Sequence, residues 1–163
     1  MVKIETLLSE GKISRIPETE LARYIGFFSN TYQDNLSHCQ NNILLFPRWS
    51  IISGYYAMHD ISKLFIARLF RFKIEKEVHA TTIKMIRELL KDKEAVRLIE
   101  KGYEEFSNLA DELNDAKKER VKVQYYTGSP YMKEKFTATA QEFYGSVVLS
   151  YIEKIRKLME NDH

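Results

Sequence analysis

The sequence predicts an all-α protein: an up-and-down bundle of four to five helices in a single domain spanning residues 1–163. Three observations predict it. Apolar residues recur at spacings of three and four along most of the chain. Glycine and proline are scarce, 6 and 3 among 163 residues, too few for a turn-rich all-β fold. Hydrophobic residues make up 44% and charged residues 29%, enough to build a core and to solvate helical outer faces.

Residues 1–16 read as a short helical or irregular lead-in. Pro17 suits a first helical position, with Glu18 and Glu20 favourable in the first turn. From there Leu21, Tyr24, Ile25, Phe28, Tyr32, Leu36, Cys39 and Ile43 form one apolar stripe on a long helix. Pro47 ends that helix or begins the next. The second helix runs from about Arg48 to about Phe70. Ile51, Ile52, Tyr55, Tyr56, Met58, Ile61, Leu64, Phe65 and Leu69 cover most of its circumference, which predicts a central helix contacted from several sides. Gly54 lowers helix propensity inside it, and a close helix crossing is a reason to tolerate it. The charged run from Arg71 to Val78 reads as a turn. Helical spacing returns from His79 to Leu90, and Lys91 to Lys93 reads as a connector. The next helix carries Val96, Ile99, Tyr103, Phe106, Leu109, Ala110 and Leu113 on one face. Its polar end is predicted to fray into an extended segment near Val121 to Tyr125. Ser129 and Pro130 suit the cap and first residue of a last helix reaching about Met159. The inner side of that helix is marked by Phe136, Ala140, Phe143, Val147, Ser150, Tyr151, Lys154 and Leu158.

Lys+Arg of 25 against Asp+Glu of 23 gives a net charge of +2, so overall charge does not point to a nucleic-acid binder. Any RNA contact needs a local basic patch. The single cysteine, Cys39, makes an internal disulfide impossible and fits a reducing, cytoplasmic setting. The N-terminal apolar run is too short for a signal peptide. No stretch reaches 18 uncharged apolar residues, so no membrane partner is expected. His38, His59, His79 and His163 show no metal-ligand spacing, and neither metal nor cofactor is predicted. Serine-nucleophile, phosphate-loop and dinucleotide motifs are absent.

Two groups of residues could carry chemistry. Arg71 can hold a phosphate by two hydrogen bonds, and His79 can exchange protons near neutral pH. Together they could cleave RNA without metal, Arg71 fixing the scissile phosphate and His79 acting as general acid or base for attack by the 2′-hydroxyl. The plain structural alternative makes Arg71 a solvated turn residue and His79 a helix cap. Further on, Arg120, Lys122, Tyr125 and Tyr126 mix cations with rings, a combination that binds single-stranded nucleic acid and that also marks an exposed helix end. His59 and Asp60 lie in the most apolar helix about 100° apart, so they cannot face one place. They read as satisfied interior polar residues, one of them reaching a buried network or a dimer contact.

The order of four stretches resembles the HEPN family (higher eukaryotes and prokaryotes nucleotide-binding domain). These are Gly11-Lys-Ile13 before a long amphipathic helix; Gly54-Tyr-Tyr-Ala-Met58 followed by Lys63-Leu-Phe65; His79-Ala-Thr-Thr-Ile83; and Glu119-Arg-Val-Lys-Val-Gln-Tyr125. Together they cover nearly the whole chain. The resemblance implies a helical bundle that forms a homodimer and binds nucleotide or RNA in a toxin–antitoxin or defence setting. It also implies a nucleotidyltransferase-like antitoxin as a possible partner. In its catalytic members four to six residues lie between an arginine and a following histidine, and the pair serves a metal-independent endoribonuclease. Here seven residues separate Arg71 from His79, and His59 and Asp60 stand where the family has an aromatic residue and a histidine. Non-catalytic members serve in nucleotide binding or protein association, so the resemblance leaves open a helical association module that dimerises and binds a partner.

Overall fold

A computed structural model describes residues 3–118 and 130–161. It is an all-α bundle in which the longest helices are α2 (Glu18–Asn41), α3 (Pro47–Phe70), α5 (Lys93–Lys118) and a rod built from α6 (Pro130–Glu142), a π-helical stretch (Phe143–Val148) and α7 (Leu149–Glu160). A short α1 (Ile4–Ser9) and the twelve-residue α4 (Val78–Leu89) are the other α-helices among the described residues. Pro47 is the first residue of α3, where its missing N–H costs nothing. Pro17 instead stands just outside α2 with extended backbone, so Glu18 is the first helical residue.

The centrality of α3 follows from its composition. Its buried residues lie on every side, and it packs against α2, α4, α5, α6, the π-helical stretch and α7. Tyr55, Met58, Ile61 and Ile66 on it are fully buried. Gly54 sits at a close crossing: a Cβ there would come within 2.9 Å of both Cys39 Sγ on α2 and Val148 Cγ2 on the π-helical stretch.

Two departures from the sequence reading have local physical causes. The lead-in and the charged turn contain strands, β1 (Ile13–Arg15) and β2 (Phe72–Ile74), paired antiparallel with Ile13 opposite Ile74 and Arg15 opposite Phe72. Three-residue strands are too short to show alternation. The clip is turned by left-handed backbone at Gly11, Arg71 and Glu77 (φ 64°, 61° and 48°), and the Arg71 carbonyl accepts from the Ile16 N–H at 2.9 Å. The second departure is the π-helical stretch. It spends one extra residue per turn, so the buried face resumes at Val148, Ile152, Ile155 and Met159. The predicted Ser150, Lys154 and Leu158 are accordingly only half-buried, while Tyr151 is fully buried as expected. Tyr151 lies within 2.6 Å of Ser62 Oγ on α3, a buried hydroxyl pair joining two rods.

Candidate functional site

The seam between α3, α4 and α5 gathers the titratable and aromatic groups that stand out chemically. His79 is the second residue of α4, and its Nδ1 is hydrogen-bonded to the Tyr55 hydroxyl of α3 at 2.8 Å. Burial pushes the Tyr55 phenol far above its usual range, so it stays protonated and can donate, in which case the ring proton of His79 sits on Nε2. The imidazole lies 4.9 Å from the His59 ring and is flanked by Phe106 at 5.6 Å and Tyr103 at 5.9 Å, both on α5. Tyr103 and Tyr56 keep about a third of their surface in solvent, so the cluster has an open aromatic edge.

His59 is the anomaly. It is 2% exposed and neither ring nitrogen has a hydrogen-bond partner; Thr82 Oγ1 of α4 is likewise buried and unpaired. The Val78 backbone lies close enough to favour the charged ring a little, but not in hydrogen-bonding geometry. Burial, reinforced by the nearby positive charge of Lys63 and by His79, lowers the His59 pKa to about 3. His79 is lowered by the same burial and by Lys63. The neutral His59 ring therefore forms no ion pair with Asp60, whose carboxylate oxygen lies 4.0 Å from Nδ1. Asp60 faces α2, where it accepts from Asn35 Nδ2 at 3.0 Å. Burial raises the Asp60 pKa, opposed by Lys63, Asn35 and Thr31. Burial lowers that of Lys63, opposed by Asp60.

Arg71 does not belong to this seam. It caps the far end of α3, twelve positions beyond His59 and so about 18 Å further along the axis. There its Nη1 pairs with Glu18 Oε2 at 3.0 Å on an exposed surface. Within one chain, then, the structure separates Arg71 from His79. Arg120, Lys122, Tyr125 and Tyr126 lie outside the described residues.

Of the two interior polar residues, Asp60 reaches a polar partner as anticipated, whereas His59 is unsatisfied rather than satisfied. Sequence reasoning also missed the pairing of His59 with His79. The available signal was that His59 follows Tyr55 by one helical turn, so both share one face. A second feature went unread. The turn joining α2 to α3 and the first turn of α3 leave Leu44, Leu45, Phe46 and Trp49 exposed at 62, 65, 57 and 60%. The signal there was a Leu-Leu-Phe run lying outside the helical stripe.

Among the described residues no group of three or more His, Cys, Asp or Glu side chains could hold a metal, and no helix is long and apolar enough to cross a membrane. Compared with known proteins, the chain matches no family model, no curated protein and no solved structure.

Proposed function

We propose that this chain is a HEPN-like, non-catalytic association module that dimerises and presents the α2–α3 tip to a partner protein. One observation carries the reading. Four large apolar side chains, including the single tryptophan of the chain, stand mostly in solvent within six residues. Such clusters on a folded surface mark contact sites, and tryptophan is prominent among residues that dominate binding energy. Between Asp34 and Asp60 the chain has no acidic residue, while Arg48 lies inside the tip, so an apolar partner surface with an acidic rim complements it. The resemblance suggests a nucleotidyltransferase-like protein in that role. The separation of Arg71 from His79 weighs against RNA cleavage by that pair.

Two measurements test the reading. Binding of a co-expressed nucleotidyltransferase-like partner should fall at least tenfold in Trp49→Asp, with helicity unchanged; retained affinity would remove the tip from the interface. Purified protein in chelator should leave RNA intact. Cleavage that disappears in His79→Ala would replace this reading with the ribonuclease one.

A second reading, nucleotide or RNA binding, is favoured by the half-open rings of His79, Tyr103 and Phe106. Rings of this kind stack on bases. Calorimetry with millimolar nucleotide tests it, and an absence of heat counts against it.

A further inference from the structure

A groove along α2 has the make-up of a small-ligand site. It measures about 310 Å³ and is lined by Glu20, Arg23, Tyr24, Phe27 and Phe28, which follow one another at spacings of three and four along one side of the helix. Phe28 is the one buried member. The Tyr24 ring stands 4.8 Å from it at 58°, and the Phe27 ring 5.0 Å from it at 90°. Lys63 of α3 lies 5.0 Å from the Phe28 ring centre, a cation–π contact that helps to hold that ring. Phe27 is 59% exposed, so the groove is open to solvent on its side. The other two lining groups are of opposite charge. Glu20 and Arg23 are three positions apart, yet they form no ion pair with each other. Glu20 Oε2 instead meets Lys73 at 3.6 Å, and Lys73 is shared with Glu75 at 3.5 Å. Arg23 is exposed and has no ion-pair partner among the described residues. Burial pushes the Tyr24 phenol up to about 12, so it is neutral near pH 7 and adds no charge to the groove.

We infer that this groove binds a free aromatic α-amino acid, its ring against Tyr24, Phe27 and Phe28, its ammonium on Glu20 and its carboxylate on Arg23. Charge selects the class. An anion alone would face Glu20, and a cation alone would face Arg23. A zwitterion, with both charges carried on one carbon, answers both. Arginine holds a carboxylate by two parallel hydrogen bonds, and aromatic rings accept a further ring edge-on or offset. Size agrees. Ligand pockets span about 300–1,000 Å³, and this groove, at the small end, suits one amino acid rather than a peptide or a dinucleotide. Because the groove is open on one side, water screens both ion pairs, and the affinity is about millimolar.

This inference goes beyond the proposed function and does not rest on it: the groove occupies the N-terminal half of α2, whereas the tip follows its C-terminus. Calorimetry of the full chain with phenylalanine, titrated to about 20 mM to bracket the expected midpoint, should show saturable binding. Phenylpropionate lacks the ammonium. Phenylalaninamide lacks the carboxylate and stands for a peptide N-terminus, and N-acetylphenylalanine stands for a peptide C-terminus. Each should bind about fivefold more weakly than phenylalanine. Glu20→Gln should weaken phenylalanine by a similar factor and leave phenylpropionate unchanged. Arg23→Gln should weaken phenylalanine and leave phenylalaninamide unchanged. An absence of heat throughout the titration overturns the inference. So does a derivative that binds as tightly as phenylalanine, since one charge is then enough and a peptide end or a simple ion is the ligand. Phenylalanine binding that both variants leave intact also overturns it, by placing the ligand elsewhere. Circular dichroism guards against misreading an unfolded variant, and the comparison of ligands on the unaltered chain stands without the variants.

Discussion

His59 constrains the protein at the scale of a single residue. Its ring is buried beside His79 with no acceptor for either nitrogen, and Lys63 and Asp60 are the charged groups nearest on its own helix. Such a group folds only in its neutral form. Its folded pKa, about 3, lies below the ordinary histidine value near 6.5, so the unfolded chain binds the extra proton between those limits. Stability is accordingly full above about pH 6.5 and falls as pH drops through that window, with His79 contributing in the same direction. Going from pH 7.5 to 5.5 should cost about 1.4 kcal/mol from His59 alone, read as a lower urea midpoint. His59→Phe should flatten this dependence. A wild-type midpoint unchanged between those two pH values would show that His59 is not held neutral.

At the scale of an element, α5 shows how one side chain sets a boundary. Asp92 accepts from the backbone N–H groups of Glu94 and Ala95 at 2.9 and 3.1 Å, capping α5, while its other oxygen accepts from Lys154 of α7 at 3.2 Å. The backbone N–H of Ala95 is the main reason its carboxyl lies below the usual range, with Lys154 assisting. The cap therefore operates above the ordinary carboxylate pKa and is lost as pH falls below about 4. Asp92→Ala should cost about 0.5–2 kcal/mol of stability at neutral pH, with Asp92→Asn retaining much of it; equal losses for the two variants would rule out capping as the cause. The sequence reading placed Asp92 in a connector, which is correct for position and silent on the cap.

At the scale of the whole molecule, the rods are assembled around Gly54. Cys39 approaches it from α2, and Phe143 and Val148 from the π-helical stretch, so an added methyl has no direction of escape. Gly54→Ala gains up to about 1 kcal/mol of helix propensity but meets overpacking of about 1–3 kcal/mol. The net effect should be a lower melting temperature. Gly102 makes the useful contrast: its neighbours there are Met58 Sδ and Cε, at 2.9 and 3.0 Å, and then a ring carbon of Tyr55 at 3.6 Å. A methionine end can swing away, so Gly102→Ala should cost less than Gly54→Ala. The opposite ranking in thermal unfolding would contradict the crossing as described.

What the chain determined by itself is the set of rods and their order. Helical periodicity is a local property, written in neighbours three and four apart, so α2, α3, α5 and the last rod were legible, as was the central place of the apolar α3 and the crossing at Gly54. What only the tertiary structure decided depends on contacts across tens of residues. The β1–β2 clip pairs Ile13 with Ile74, and neither short strand carries a pattern of its own. The π-helical stretch moved the inner face of the last helix by one residue, a shift that no regular period predicts. His79 was legible as a histidine opening a helix, but its neighbours Tyr55, His59 and Phe106 are 20 to 27 residues distant, and Arg71, closer in sequence, turned to Glu18 instead. Whether Phe27 and Trp49 are core or surface was equally undecided by their apolar character, because a hydrophobic side chain is buried only when another element arrives to cover it.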